Sequence, residues 1–379
     1  KHITSLLSSF STVIEPKPVR VLINALHART GGGVTYLRNM LPLFAKDPML
    51  DVHLCAHEDQ QDILPMGVKN INYHFLSFER GYWKVLIREQ FELPRLARRI
   101  KADITFSPAN YGPIFAPNTI VMLRNAVSVG LVEKRPIKLA YWALLFGATL
   151  VSLLACKRAI AVSNYASRVG SSFLWNWTKS KISVIPHGVD KRFCINKNVV
   201  RDPNILLAVS DIYVQKNFKN LLLALSELIP NYPNLRLKIA GRPIDLEYVQ
   251  ELDALVKEKK LHDHVMFLGG VDVDALITLY QECGLFVFPS TVETFGNPLV
   301  EAMACGAPIA SSNAAAMPEV LGDAGLYFNP NKVDDIRDTI LKLLMDQELR
   351  HSIGQLAEMR SHEFSWEKTE SRTKRAFQV

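Results

Sequence analysis

Cysteine is scarce in this chain: Cys55, Cys156, Cys194, Cys283 and Cys305 are odd in number, scattered, and never paired as C-x-x-C. That excludes a cysteine zinc site and a disulfide framework, and it points to a reducing, cytosolic compartment. No D-x-D pair stands at the end of an apolar run; Asp272 and Asp274 follow Gly269–Gly270 where a helix is expected to begin, so no metal is expected. The apolar run Ala140–Cys156 has 17 residues between Lys138 and Lys157, at the lower edge of what crosses a bilayer. Gly147, Thr149 and Ser152 weaken it further, and it reads as a buried or membrane-contacting helix. The opening KHITSLLSSFST lacks an apolar core and a cleavage site, so it is not read as a signal peptide, although a start at Lys1 leaves room for an upstream portion. Internal repeats and low-complexity blocks are missing, and aromatic residues do not interleave with basic ones. A nucleic-acid partner is therefore not expected.

What is present describes a globular protein: 379 residues, 48% of them hydrophobic, with a net charge of +7. The length allows two cores, and the positive balance suits anionic substrates or an anionic surface. Lys84, Arg88, Arg95 and Arg99 recur at helical spacing beside Ile87, Phe91, Leu96 and Ile100. Such a segment can lie on lipid headgroups or be an ordinary solvated helix face, and Pro94 argues against one unbroken helix.

Short β-branched runs alternate with longer amphipathic ones. They fall at Val19–Ala25, Val52–Ala56, Ile71–Phe75, Ile104–Ser107, Thr119–Leu123, Ala159–Ser163 and Ser183–Pro186. After a polar break at Asn196–Asn204 the rhythm restarts with Ile205–Val209, Arg236–Ala240, Val265–Leu268, Leu285–Pro289 and Ile309–Ser311. That rhythm predicts an α/β protein of two doubly wound, Rossmann-like domains facing a cleft, with ligands outside the carboxyl ends of the strands. We expect a disordered leader over 1–17, domains over 18–190 and 191–362, and a terminal helix over 363–379 that returns to the first domain.

Two stretches carry chemistry. In ETFGNPLVEAMACGAP, Glu293 and Glu301 flank an aromatic–Gly turn and a helix start, with Asn297 read as N-cap, Pro298 as first helical residue and Glu301 in the first turn. A helix tip beside Gly296 suits a phosphate, and carboxylates on either side suit hydroxyls, which together describe a nucleotide-sugar. The plainer alternative is an acidic pair complementing the helix dipole. After the first strand, Gly31, Gly32 and Gly33 precede a helix expected over Thr35–Ala45; they could admit an anion or a sugar, or simply loosen a turn.

The E-x7-E element in this setting resembles the donor signature of the retaining glycosyltransferases of family four, which have the GT-B architecture. The resemblance runs from about Val19 to Asp346 and includes Ala159–Tyr165, Val184–Asp190, Ile239–Gly241 and Phe267–Gly269. It implies that Glu301 holds the ribose hydroxyls, that Glu293 lies by the donor sugar, and that the glycine loop approaches the donor phosphates and the acceptor. It further implies donor contacts from Ser210, Phe295, Gly296, Asn297 and Leu299, and a phosphate-binding lysine matched by Lys216, so that Glu293 and Lys216 are the candidate catalytic pair. Relatives often have Gly-Arg at the strand end where this chain has Ser210 and Asp211, which removes one cationic phosphate contact. Lys219 or a residue of the other domain would have to replace it. Where many members have a histidine after Thr119–Leu123, this chain has Arg124 and Asn125; with Asn110 they are candidates for the sugar or acceptor site, or else loop and capping residues.

The function implied is retaining transfer of a hexose from a GDP-, UDP- or ADP-sugar, without a further cofactor, to a glycan or polyprenyl-linked glycan during cell-surface polysaccharide or lipopolysaccharide synthesis. The enzyme would be cytoplasmic, peripheral on an anionic inner membrane face. The competing readings are a nucleotide-sugar epimerase or phosphorylase of the same fold, and a non-catalytic basic module binding membrane or nucleic acid.

Overall fold

The computed structural model describes residues 17–29, 31–124, 129–130 and 133–378. The expected leader, apart from Lys17, lies outside the described residues, as does Asn125.

Seven parallel strands form the first sheet: β1 (Val19–Asn24), β2 (Leu50–His57), β3 (Ile71–Leu76), β4 (Ile104–Ser107), β5 (Thr119–Leu123), β6 (Arg158–Ala161) and β7 (Ile182–Val184), in the order β3-β2-β1-β4-β5-β6-β7. Six more form the second: β8 (Asp202–Val209), β9 (Arg236–Ala240), β10 (Val265–Gly269), β11 (Cys283–Phe288), β12 (Ile309–Ser312) and β13 (Leu326–Phe328), ordered β10-β9-β8-β11-β12-β13. Both sheets are wound alike. Their inner strands are apolar on both faces because helices cover both sides: β4, β5, β11 and β12 are buried throughout. In each sheet the winding reverses beside the first strand, between β1 and β4 and again between β8 and β11. At such switch points the loops diverge and leave a crevice.

The strand at Leu326–Phe328 was not expected. Three residues at a sheet edge are too few to show periodicity, and pairing with β12 decides the conformation. The helix Tyr82–Ile100 runs unbroken through Pro94, against expectation. Leu93, Leu96 and Ala97 are buried under β1 with Leu22 and Leu26, and that packing outweighs the local penalty of the proline.

The chain crosses between the halves at Ile185–Asp190, and the last helix, Trp366–Phe377, crosses back. Ser365 caps that helix by accepting from the Lys368 amide. Phe377 packs on Phe44 and Phe106, Trp366 on Tyr36, and Lys374 Nζ lies 2.5 Å from Asp47 Oδ2, so the helix is fastened to the first half. The two crossings touch at Gly188, where a Cβ would come within 2.2 Å of the Trp366 backbone nitrogen.

Candidate active site

The loops at the switch points meet across the cleft. The loop after β1 carries Gly31–Gly33, with Gly31 in the left-handed region at φ 59° and Gly32 opening the helix Gly32–Phe44, three residues earlier than expected. A Cβ on Gly33 would lie 2.4 Å from Nη2 of Arg124, and one on Gly32 would lie 3.4 Å from Nδ2 of Asn297. The glycine loop is thus packed directly against a guanidinium of its own half and the helix tip of the other.

That tip begins the helix Asn297–Ala304. Its N-cap is Gly296, at φ 86°, rather than Asn297, and Glu301 falls just past the first turn instead of within it. The reason is that Asn297 is used elsewhere: its Oδ1 lies 3.1 Å from Nδ1 of His187, on the crossing segment. With Nδ1–H donating, the Asn297 amide nitrogen is turned toward the glycine loop. Burial lowers the His187 pKa to about 4, so the imidazole is neutral at ordinary pH. His187 is wedged among Tyr36, Phe295 and Trp366.

Glu293 precedes this helix. Its Oε1 pairs with Nζ of Lys216 and accepts from Ser290 Oγ at 3.1 Å, and both ends of the ion pair are largely buried. Lys216 ends a short turn after β8, and Asn217, at φ 58°, opens the next helix while its side chain donates to the carbonyls of Pro289 and Pro330. Glu301 lies at the other end of the helix tip, in a cavity of about 280 Å³ with Asn297, Asp190, Arg38 and Val273. Burial raises its pKa to about 7, against the opposing effect of a hydrogen bond from Tyr280 Oη at 3.0 Å.

Arg124 links the two halves. Its backbone carbonyl accepts from Thr294 Oγ1 at 2.5 Å, its amide donates to Asn110 Oδ1 at 3.0 Å, and Nε donates to the Pro108 carbonyl at 2.6 Å. Burial pulls its pKa down to about 10, which leaves it charged at neutral pH. It borders a cavity of about 560 Å³ in the cleft together with Lys216, Glu293, Tyr213 and Tyr141. Across the mouth, Arg135 binds Asp245 at 2.6 Å, Glu247 at 2.7 Å and Glu133 at 2.8 Å, and Lys138 adds Asp245 at 3.1 Å. Asp245 is held down to about 2, first by the hydrogen bonds from Arg135. Ser163 Oγ donates to the Thr294 carbonyl, and Glu319 accepts from the Asn164 amide and side chain. These contacts bridge the two halves across the cleft.

The remaining expected residues are placed differently. Phe295 and Leu299 are buried, Phe295 between His187 and Phe364, so at this surface they offer only backbone. Ser210 borders none of these cavities; its amide donates to the Ala240 carbonyl. Asp211 is paired with Arg242, and Lys219 is engaged by Glu251 at 2.6 Å. Asn110 is buried and supports Arg124 rather than lining the cavity. Asp272 caps the next helix by accepting from the Ala275 amide. Sequence reasoning gave no site role to His187, Thr294 or the Arg135–Asp245 bridge. His187 stands in a motif already singled out; the others pair residues 110 or more positions apart, with no local signal.

Residues 190–360 match the family described as glycosyl transferases group 1. The match falls on the second half of the chain. Among curated relatives, a serotype-specific mannosyltransferase WbdA of Escherichia coli is 33% identical over 213 residues, which is 55% of this chain and 24% of the relative. The O-antigen chain mannosyltransferase B of Escherichia coli is 34% identical over 46% of this chain and 45% of its own length. The chain thus spans less than half the length of these relatives. Among solved structures, sucrose-phosphate synthase of Thermosynechococcus elongatus superimposes with a TM-score of 0.76 at 16% identity, over 95% of this chain and 98% of that one. Anabaena HepE in complex with UDP and glucose gives 0.75 at 15% identity, over 94% and 98%. At such identities the likeness is one of fold, and the fold is GT-B.

Proposed function

We propose that the protein is a retaining, nucleotide-sugar-dependent hexosyltransferase, and that it extends a lipid-linked glycan in the synthesis of a cell-surface polysaccharide or lipopolysaccharide. One observation carries this reading: Lys216, Glu293, the Gly296–Asn297 helix tip, Arg124 and the glycine loop converge on one cleft at the switch points of both sheets. The mannosyltransferase names of several relatives make GDP-mannose the first donor to test; UDP-glucose, bound by HepE in another solved structure, is the second.

In this reading Glu301 accepts hydrogen bonds from the ribose hydroxyls and the diphosphate lies over the helix tip. Lys216 and Arg124 stabilise the charge that grows on the leaving phosphate, with Arg124 replacing the cation lost at Asp211. No metal is needed for that charge. The anomeric C–O bond to the diphosphate breaks as the acceptor hydroxyl attacks C1 from the same face, and its proton passes to the departing phosphate oxygen. Glu293 orients Lys216 and the sugar hydroxyls rather than forming a covalent bond. The domain division near residue 190, with a terminal helix from about 363, follows the two chain crossings.

The lipid-linked acceptor and the membrane face rest on the outer surface of the first half. Trp83, Ile87 and Phe91 form one exposed stripe at i, i+4, i+8 on Tyr82–Ile100, beside Lys84, Arg88 and Arg95. The helix Pro136–Ala155 buries Leu145, Thr149, Ser152 and Leu153 and leaves Ile137, Leu144, Val151 and Leu154 exposed. A soluble surface rarely gathers that much apolar area. An anionic, cytoplasmic membrane face fits it.

Thermal unfolding with a panel of nucleoside diphosphates, followed by slow hydrolysis of the matching nucleotide-sugars, tests the reading without an acceptor. The expected result is a higher melting temperature for one base and release of its sugar. A melting temperature unchanged at millimolar concentrations of every nucleotide would refute it.

A further inference from the structure

A third cavity, of about 440 Å³, opens in the first half and is lined by His27, Arg29, Arg80, Tyr111, Arg124 and Tyr141. It shares Arg124 and Tyr141 with the cleft cavity that holds Lys216 and Glu293, so what binds in one lies next to what binds in the other. None of its lining residues is acidic. Arg29 and Arg80 share the single carboxylate of Asp59, at 3.6 and 2.7 Å, which leaves their charge in excess. Nη2 of Arg80 has no hydrogen-bond partner among the described residues. Arg124 makes no ion pair among them either. The one buried carboxylate close by, Glu89, is engaged by His27 Nε2 at 3.1 Å and Asn24 Nδ2 at 2.6 Å.

We infer that this cavity binds the phosphate or diphosphate group of the acceptor, between Arg29 and Arg80, so that the hydroxyl to be extended lies close to that anion. The inference rests on the glycosyl-transfer reading and names its acceptor class. Paired guanidiniums with spare N–H groups match phosphate oxygens better than they match neutral sugar hydroxyls. The volume suits a small group rather than a long polymer. The cavity wall also includes Gly81 and Val85 at the start of the basic helix and Leu145 of the helix Pro136–Ala155, the two elements that carry exposed apolar side chains. An alkyl chain leaving the phosphate would run out along them into a bilayer. The reaction that supplies such an acceptor is therefore one that loads a sugar onto a phosphate, and this enzyme acts near that end of the glycan.

The test titrates the whole protein, its donor cleft saturated with nucleoside diphosphate, with octyl phosphate, inorganic pyrophosphate and uncharged octyl glucoside. Both phosphates are expected to bind and octyl glucoside to bind at least about tenfold more weakly. Arg80→Ala and, separately, the half-exposed Arg29→Ala should each weaken both phosphates about tenfold, while nucleoside diphosphate affinity stays within about twofold. Octyl phosphate binding tighter than pyrophosphate supports a lipid-linked acceptor; equal affinities support a soluble sugar phosphate at the same site. Octyl glucoside binding as well as octyl phosphate, or phosphates indifferent to both substitutions, overturns the inference. A wild-type protein that fails to bind any nucleoside diphosphate would remove the glycosyl-transfer reading instead, and the phosphate titrations would still decide the cavity.

Discussion

The two halves share one winding order and differ in what they turn outward. The second half encloses its apolar residues conventionally, with Leu221, Leu225, Leu252, Ile336 and Ile340 between sheet and helices, and keeps its chemistry at two loops. The first half leaves Trp83, Ile87, Phe91, Ile137 and Leu154 exposed and keeps arginines inside its cavity. Around its own apolar core, which includes Ile23, Leu37, Phe44 and Phe106, that half adds exposed apolar side chains on two helices and a cationic cavity. A domain that handles only a water-soluble donor has no need of such exposed apolar helices, whereas one that meets a lipid-borne acceptor does. The family match, confined to residues 190–360, covers the conventional half.

The comparison can be broken at several points. The largest effect belongs to the second half: Lys216→Ala or Glu293→Gln should lower turnover at least about a hundredfold, since each removes stabilisation or orientation at the leaving phosphate. Single-turnover kinetics with the identified donor reads this. Similar losses from Trp83→Ser together with Phe91→Ser, on a soluble acceptor, would erase the division of labour; those substitutions should cut only binding to anionic vesicles, by about tenfold.

Gly188→Ala tests the seam between the halves. With the Trp366 backbone at 2.2 Å from the added methyl, the crossing segments must separate, at a cost of about 2–4 kcal/mol read from chemical denaturation.

Glu301 gives a pH signature. Its carboxyl, raised to about 7, must be ionised to accept from two ribose hydroxyls, so the donor KM should fall as pH rises from 6 to 8 by about tenfold, and Glu301→Gln should flatten that dependence. The free protein should show the opposite trend. A carboxyl whose folded pKa lies above its unfolded value adds stability below about pH 4.5 and loses it as pH rises through 7, so Glu301→Gln should reduce the difference in melting temperature between pH 5 and pH 8.

The smallest effect is expected at the mouth of the cleft. Arg135→Ala removes partly exposed ion pairs, of about 1 kcal/mol, and should raise the donor KM a few fold at low salt and less at high salt.

Alternation of β-branched and amphipathic segments made the two parallel sheets readable, because a strand buried on both faces leaves a run that needs no partner to be seen. The E-x7-E stretch and the glycine triplet were readable for the same reason: turn chemistry and helix starts are local. Local rules also misled. Asn297 looked like a cap until His187 took its side chain, and Pro94 looked like a break until three buried neighbours held the helix together.

The order of apolar and polar residues therefore determined the fold class, the number of halves and the loops that face the cleft. Tertiary structure alone decided that Arg124 rests on Gly33, that Lys216 meets Glu293, that Arg135 bridges to Asp245, and that the helix Pro136–Ala155 exposes Leu144 and Leu154 while burying Leu145 and Leu153. The first three join residues far apart in the chain, and the sign of a helix face depends on what lies beneath it. Periodicity records that a face exists; only packing says which way it points.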